Sequence, residues 1–247
     1  MKNQFIISCG AVIVTITILY SSCKKENVRP ASGAASLTIV NAVVGSSSLI
    51  PNFNSSQPLH YYQSAAEIGF GSSMEFGNYV GNIPLSFVDN SDTTKAVFKE
   101  QLSIPAYSIQ TLFLTGTLSS VDYFITTDKV PDLAFADSLC AVRFVNLSPG
   151  SSPVSVDIQG NANGSEVASL SFKNISDFKK YSAKATISKY VFEFRDVSSG
   201  ILLASYSLTG VNNGDGNTQT NSVRDHSFTI AFYGALNSQH AFLVHNY

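Results

Sequence analysis

Leu37-Thr38-Ile39-Val40-Asn41-Ala42-Val43-Val44-Gly45-Ser46-Ser47 returns 105 residues later as Val142-Arg143-Phe144-Val145-Asn146-Leu147-Ser148-Pro149-Gly150-Ser151-Ser152. Each stretch is a short strand, a Val-Asn pair and a Gly-Ser-Ser turn. Self-similarity of this kind predicts one structural unit present twice. The likeness continues outward. Ile68-Gly69-Phe70 with Phe76-Gly77-Asn78-Tyr79 matches Leu170-Ser171-Phe172 with Phe178-Lys179-Lys180-Tyr181, including a Phe-x-x-Tyr spacing. Leu85-Ser86-Phe87-Val88-Asp89 matches Phe192-Glu193-Phe194-Arg195-Asp196. Thr111–Gly116 and Tyr123-Phe124-Ile125 match Thr229–Gly234 and Ala241-Phe242-Leu243 without a gap. The offsets run 105, 102, 107 and 118 residues along the chain. Their last jump predicts an insertion in copy two at Gly210–Asn221, a Gly/Asn-rich stretch without apolar periodicity and therefore a loop.

The periodicity is that of strands. Tyr190, Phe192 and Phe194 alternate with Val191, Glu193 and Arg195, and Val154, Val156 and Ile158 alternate with Ser155, Asp157 and Gln159. A period of two with one polar face predicts antiparallel sheets, each burying one side. About seven short strands per copy, separated by turn signals, suit a sandwich of immunoglobulin size. The expected fold is all-β: two tandem immunoglobulin-like antiparallel β-sandwich domains, at 36–128 and 139–247. A Pro-containing linker at 129–138 joins them, and the two are expected to fold separately.

Of the 247 residues, 44% are hydrophobic and 13% charged, with a formal net charge of −2. That apolar fraction supports a core and argues against general disorder. No clustered basic face marks a nucleic-acid partner.

The N-terminus reads as an export signal. Lys2 precedes an apolar run from Phe5 to Leu19, which is short for a bilayer span. Tyr20-Ser21-Ser22-Cys23-Lys24-Lys25 resembles a bacterial lipobox, with Tyr20 where a branched aliphatic residue is usual. The resemblance implies that 1–22 is a signal peptide and that Cys23 carries the lipid. An uncleaved single-span anchor is the competing reading. Residues 23–35 form a flexible tether, polar, small and Pro/Gly-containing. The expected location is the cell envelope, as an outer-membrane lipoprotein of a Gram-negative bacterium, with the membrane itself as one partner. Cys140 then stands alone in the mature chain, so no internal disulfide forms, and the residue reads as a small buried hydrophobe at a strand start.

The Val-Asn-x-x-x-Gly opening, the Phe-x-x-Tyr step and the closing Gly hairpin resemble the bacterial domain-of-unknown-function family 4397. Tandem copies behind a lipoprotein signal are similar to that family's arrangement. The resemblance covers most of residues 36–247. Ser148-Pro149-Gly150 fits the turn that opens the second copy in the family, while Val43-Val44-Gly45 departs from it. The family brings no activity with it.

Signatures of chemistry are sparse. His60, His226, His240 and His245 show no ligand spacing, and no Cys-x-x-Cys or His-Glu-x-x-His occurs, so neither a metal nor a cofactor is expected. Asp215 and Asn217 are candidate binding residues in the copy-two loop, although a calcium loop's regular acids are missing. Tyr61 and Tyr62 lie in a polar stretch and are candidate contacts for a sugar or a protein, against the plainer reading as strand partners. Asp92-Thr93-Thr94 and Asp137-Ser138-Leu139 resemble the O-glycosylation motif of exported proteins in one group of Gram-negative bacteria, which makes Thr93 and Ser138 candidate acceptors in loops. The functional expectation is a non-catalytic envelope module that binds a glycan or protein partner. The alternative is an envelope hydrolase with a carboxylate pair at one loop end.

Overall fold

A computed structural model describes residues 33–53, 66–77, 79–213 and 221–246. Copy one supplies β1 (Ser36–Asn41), β2 (Ser48–Asn52), β3 (Ile68–Gly69), β4 (Ser72–Gly77), β5 (Gly81–Asp89), β6 (Asp92–Ile104), β7 (Ile109–Thr117) and β8 (Ser120–Thr127). Copy two supplies β9 (Leu139–Asn146), β10 (Val154–Ile158), β11 (Val167–Leu170), β12 (Lys179–Ser182), β13 (Lys189–Asp196), β14 (Leu202–Thr209), β15 (Ser227–Ala235) and β16 (Ser238–His245). The chain is all-β, as expected, and forms two immunoglobulin-like sandwiches. The two copies correspond strand for strand. An outer sheet β3-β2-β5-β6 faces an inner sheet β4-β1-β7-β8 in copy one, and β11-β10-β13-β14 faces β12-β9-β15-β16 in copy two. Register is preserved as well. Asn41 pairs with Leu114 and Asn146 with Phe232, the repeat-equivalent residues.

Four expectations need correction. Among the described residues each copy has eight strands, where about seven were expected. Each inner sheet contains one parallel pair, β1 with β7 and β9 with β15. The chain between those partners runs through the whole sandwich, so no tight hairpin constrains their direction.

The Phe-x-x-Tyr match is out of register. Ser73 pairs with Val40 as Ile175 bridges the equivalent Val145, but Phe76 pairs with Leu37 whereas Lys179, not Phe178, pairs with the equivalent Val142. Copy two therefore holds one extra residue between Ile175 and Lys179. There the Ser176 hydroxyl accepts the Phe144 N–H at 2.9 Å. The slip sends Tyr181 into the core and lays Phe178 under the Arg143 guanidinium, 4.5 Å from its ring centre.

The largest correction concerns the sheet faces. Leu37, Ile39, Leu112 and Leu114 fill the core of copy one, while Phe144, Phe192, Phe194 and Phe228 anchor that of copy two. Burying one such side chain stabilises the fold by about 1.5–3 kcal/mol. A third apolar cluster lies between the copies, built from Val40, Ala42, Phe113, Val145, Leu147 and Ala231. The two inner sheets bury their second faces against each other, so strands β1 and β9 are buried on both sides. From Gly33 onward the chain is one compact unit. The outer face of β10 and β13 is covered too: Asp157 is 1% and Glu193 6% exposed. The 159–166 connection folds over them, with Gly164 seated against Ser155.

The copies are joined so that their strands point the same way. Thr115, near the upper end of β7, donates from Oγ1 to the Leu147 carbonyl, just past the upper end of β9 (2.6 Å). Asp128 and Asn246, which follow β8 and β16 at the lower ends, also meet, with Asn246 Nδ2 donating to Asp128 Oδ2 at 3.2 Å. These two residues are repeat equivalents, so a pseudo-twofold axis runs roughly along the strands between them. Each is held by the equivalent threonine, Thr111 on Asp128 and Thr229 on Asn246, both at 2.6 Å. Arg143 Nη2 stands 2.8 Å from Asp128 Oδ1, and both side chains are buried. Burial pulls the Arg143 guanidinium below its ordinary value, opposed by the Asp128 charge.

Candidate functional site

The Val-Asn motif carries scaffolding rather than chemistry. Asn41 is fully buried. Its Nδ2 donates to the Ile68 carbonyl (2.9 Å) and to Ser46 Oγ (3.2 Å), and its Oδ1 accepts from Val43 N (3.1 Å). Asn146 repeats this arrangement with the Leu170 carbonyl (3.1 Å), Ser151 Oγ (3.1 Å) and Ser148 N (3.0 Å). An amide is needed because one side chain must donate twice and accept at once. Each Asn ties the end of an inner strand to the outer sheet and fixes the turn above it.

Above those asparagines, at the same end of both sandwiches, two open clefts lie at equivalent positions. The cleft of copy one measures about 750 Å³ and is lined by Val44, Asp89, Asp92, Lys95, Val97 and Leu118. The cleft of copy two measures about 580 Å³ and is lined by Ser151, Asp196, Leu202, Leu236, Asn237 and His240. Both are framed by the two hairpin tips, with Val44 completing the cleft of copy one and Ser151 and Ser152 that of copy two. The chain enters the fold at the opposite end, where Ser36 N donates to the Ser108 carbonyl and the Tyr107 ring covers Gly33.

The acids of the clefts are turn caps. Asp89 accepts from Ser91 N (2.9 Å), Ser91 Oγ (2.5 Å) and Ser47 N (3.2 Å). Burial pushes its carboxyl up, but these bonds outweigh burial and hold it below the ordinary value. Thr94 does the same for Asp92, mainly through its hydroxyl (2.6 Å). Asp196 accepts the hydroxyls and N–H groups of Ser198 and Ser199, all on Oδ1, and is lowered to about 2, the Ser198 hydroxyl being the largest cause.

The tips differ sharply in polarity. Val197, Ile201 and Leu202 on the β13–β14 hairpin and Leu236 on the β15–β16 hairpin are 47%, 62%, 46% and 53% exposed. The corresponding β5–β6 tip of copy one is Asn90-Ser91-Asp92. Four exposed apolar side chains make this end the candidate for an interaction surface. The alternation of the strands does not report them, because Val197, Ile201 and Leu236 lie in the turns and Leu202 only opens β14. Their only sequence signals are apolar residues inside turn stretches, Ser199-Gly200-Ile201-Leu202 and Gly234-Ala235-Leu236-Asn237.

Of the residues singled out in the sequence, Cys23, Tyr61, Tyr62, Asp215 and Asn217 lie outside the described residues. Thr93 lies within β6 rather than in a loop, half-buried where the β5–β6 register shifts between the Asp89–Asp92 and Val88–Ala96 pairs. Ser138 follows a short 3-10 turn at Phe135–Asp137, with φ 50° and its carbonyl accepting from Ala183 N (2.7 Å). Cys140 is buried and its thiol is pushed up to about 11 by that burial, which suits the inert reading. Of the expected insertion at Gly210–Asn221, residues 214–220 lie outside the described residues, and the flanking stretches between β14 and β15 are tied to the fold. Val211 and Val223 are buried in the copy-two core, and Asn221 Nδ2 donates to the Val211 carbonyl (3.2 Å). Among the described residues, no group of three His, Cys, Asp or Glu is placed to hold a metal. No known family model matches the chain, and no curated protein matches it either.

Proposed function

We propose that the chain is a lipid-anchored envelope protein that works as a non-catalytic binding module. Cys23 is the anchor in this reading, 1–22 is lost on export, and the outer membrane of a Gram-negative cell is the site of attachment. Membership of family 4397 belongs to the same proposal and rests on the repeat motifs. The observation that carries the binding role is the exposed quartet Val197, Ile201, Leu202 and Leu236 beside an open cleft, at the end away from Gly33. A tether leaving near Gly33 directs that end outward, where a glycan or protein partner is met.

A hydrolase has less support. Asp89, Asp92 and Asp196 are the acids that line the two clefts, and turn hydrogen bonds hold each carboxyl below its ordinary value. A general acid must carry a proton near neutral pH.

Two experiments test the proposal. Cys23→Ala should release the protein from membranes or leave the precursor uncleaved; a mature, membrane-bound mutant refutes the anchor. Labelled mature chain should decorate whole cells or purified envelope glycans, and the double variant Ile201→Asp, Leu236→Asp should lose that binding. Turnover of an envelope polysaccharide that is abolished by Asp89→Asn would favour the hydrolase instead.

A further inference from the structure

We propose that the copy-two cleft takes a lysine side chain of a partner protein. The inference rests on the binding role above and names the partner's chemistry. Two features of the cleft carry it. Leu202, Leu203 and Leu236 give it apolar walls, and Val197 and Ile201 stand exposed on the same hairpin as the first two. Asp196 lines the cleft beside those leucines. Its turn bonds, the Ser198 hydroxyl foremost, lower its carboxyl to about 2, so it is an anion at neutral pH. All four of those bonds fall on Oδ1. Among the described residues no hydrogen bond reaches Oδ2, and Arg195, next in the chain, pairs instead with Glu193 and Asp157.

The copy-one cleft shows what the copy-two cleft lacks. There Lys95 stands with Asp89 and Asp92 and supplies a cation from within the chain. Val88 pairs with Ala96, the residue after that lysine, and the repeat-equivalent Arg195 pairs with Leu202. Where one cleft brings its own ammonium, the other presents leucine.

An ionised carboxylate among apolar walls calls for a counter-charge, and the walls call for burial. A lysine side chain answers both, with its aliphatic stem along the leucines and its ammonium at Asp196 Oδ2. One free oxygen suits a point charge better than the guanidinium of arginine, whose fork matches two acceptors. A protein fits better than a glycan. Sugar rings stack on aromatic faces, and no Phe, Tyr or Trp is among the residues that line this cleft. Apolar side chains within a polar rim, here Asn237, Gln239 and His240, are the composition of a protein interface.

The test uses the mature chain from Cys23 on, with that thiol capped, and fluorescein-labelled heptapeptides carrying one central lysine between leucines. Fluorescence polarisation should detect binding below about 1 mM. Norleucine in place of the lysine should weaken it about tenfold, and arginine about threefold. Asp196→Asn keeps Oδ1 for the turn and removes the charge. It should weaken binding about tenfold, a loss that shrinks as salt is added, while its circular dichroism matches the wild type. The same variant should lose the decoration of whole cells, and so should the wild type once lysines on the cells are acetylated. No binding of the lysine peptide, equal binding of the norleucine peptide, or an Asp196→Asn protein that binds as the wild type does each overturns the proposal. If Ile201→Asp with Leu236→Asp loses cell decoration while Asp196→Asn and acetylation do not, the binding role stands and the lysine partner falls. Displacement from cells by glucosamine oligomers and not by the lysine peptide overturns it in favour of an amino-sugar polymer.

Discussion

The interiors of the two repeats have stayed alike while their upper ends have parted. Asn41 and Asn146 make the same three contacts with repeat-equivalent partners, at distances that agree within a few tenths of an ångström. A few residues above them, one hairpin tip is Asn90-Ser91-Asp92 and the other carries Val197, Ile201 and Leu202 into solvent. Burial explains the contrast. A fully enclosed amide has one satisfactory arrangement, and any replacement leaves a donor or acceptor without a partner. Turn tips are free to change as long as the cap survives, and here Asp89 and Asp196 keep that role in both copies.

The harshest way to break the comparison is to cut the chain between the copies. The repeat alone predicts that 139–247 is soluble and unfolds cooperatively. The buried face between the inner sheets changes that expectation, since the cut bares Val145, Leu147, Ala231 and Val244 and removes the carboxylate from Arg143. The isolated fragment should self-associate in gel filtration and melt well below the intact chain; a stable monomer would mean that the copies are independent after all. A milder cut is Asp128→Leu, which leaves a buried guanidinium without its counter-ion and should cost about 3–5 kcal/mol in denaturant titrations. Next come Asn41→Ala and Asn146→Ala. Each should cost about 2–3 kcal/mol, and the two losses should agree within about 0.5 kcal/mol if the girders are equivalent. Val211→Ala tests whether the copy-two insertion belongs to the core: a loss of about 1–2 kcal/mol is expected, against almost none for a solvated loop.

The smallest effect is acid sensitivity of the tips. Asp89 and Asp196 both have folded values below the ordinary 3.8, Asp196 at about 2. A lowered carboxylate contributes stability above its unfolded value and loses it as pH falls through the folded one. Both tips should therefore weaken in the same direction, from about pH 4 down to about pH 2, and carboxyl NMR titrations should place Asp196 near 2. Asp157 has the opposite sign. Burial raises it against the pull of Arg195, so its effect on stability is favourable below the unfolded value and fades as pH rises through the folded one.

What the sequence disclosed was set by local pattern. Alternation named the core residues Phe192, Phe194, Val154 and Val156 correctly, because inward positions in a strand recur every second residue. The Val-Asn pair stood out by recurring, though recurrence alone did not say that the amide is a girder. Glu193 and Asp157 read as a solvent face and are buried, since the cover comes from a connection that leaves no periodic trace. The contact between the inner sheets was hinted at only by adjacent apolar pairs, Ile39-Val40 and Phe144-Val145, which is how a strand buried on both faces spells itself. The tip residues were missed because single apolar residues in turns are common.

Asp128 beside Asn246 has one more consequence. In an assembly of identical subunits, a residue on the twofold axis meets its own copy. Two aspartates there would repel, and two asparagines would leave Arg143 with no counter-charge. Joining the two halves in one polypeptide releases that position from self-complementarity, so one half can hold the acid and the other the amide. The seam between the repeats thus records a step open to a duplicated gene and closed to a homodimer: the two sides of an interface have begun to specialise, each for the other.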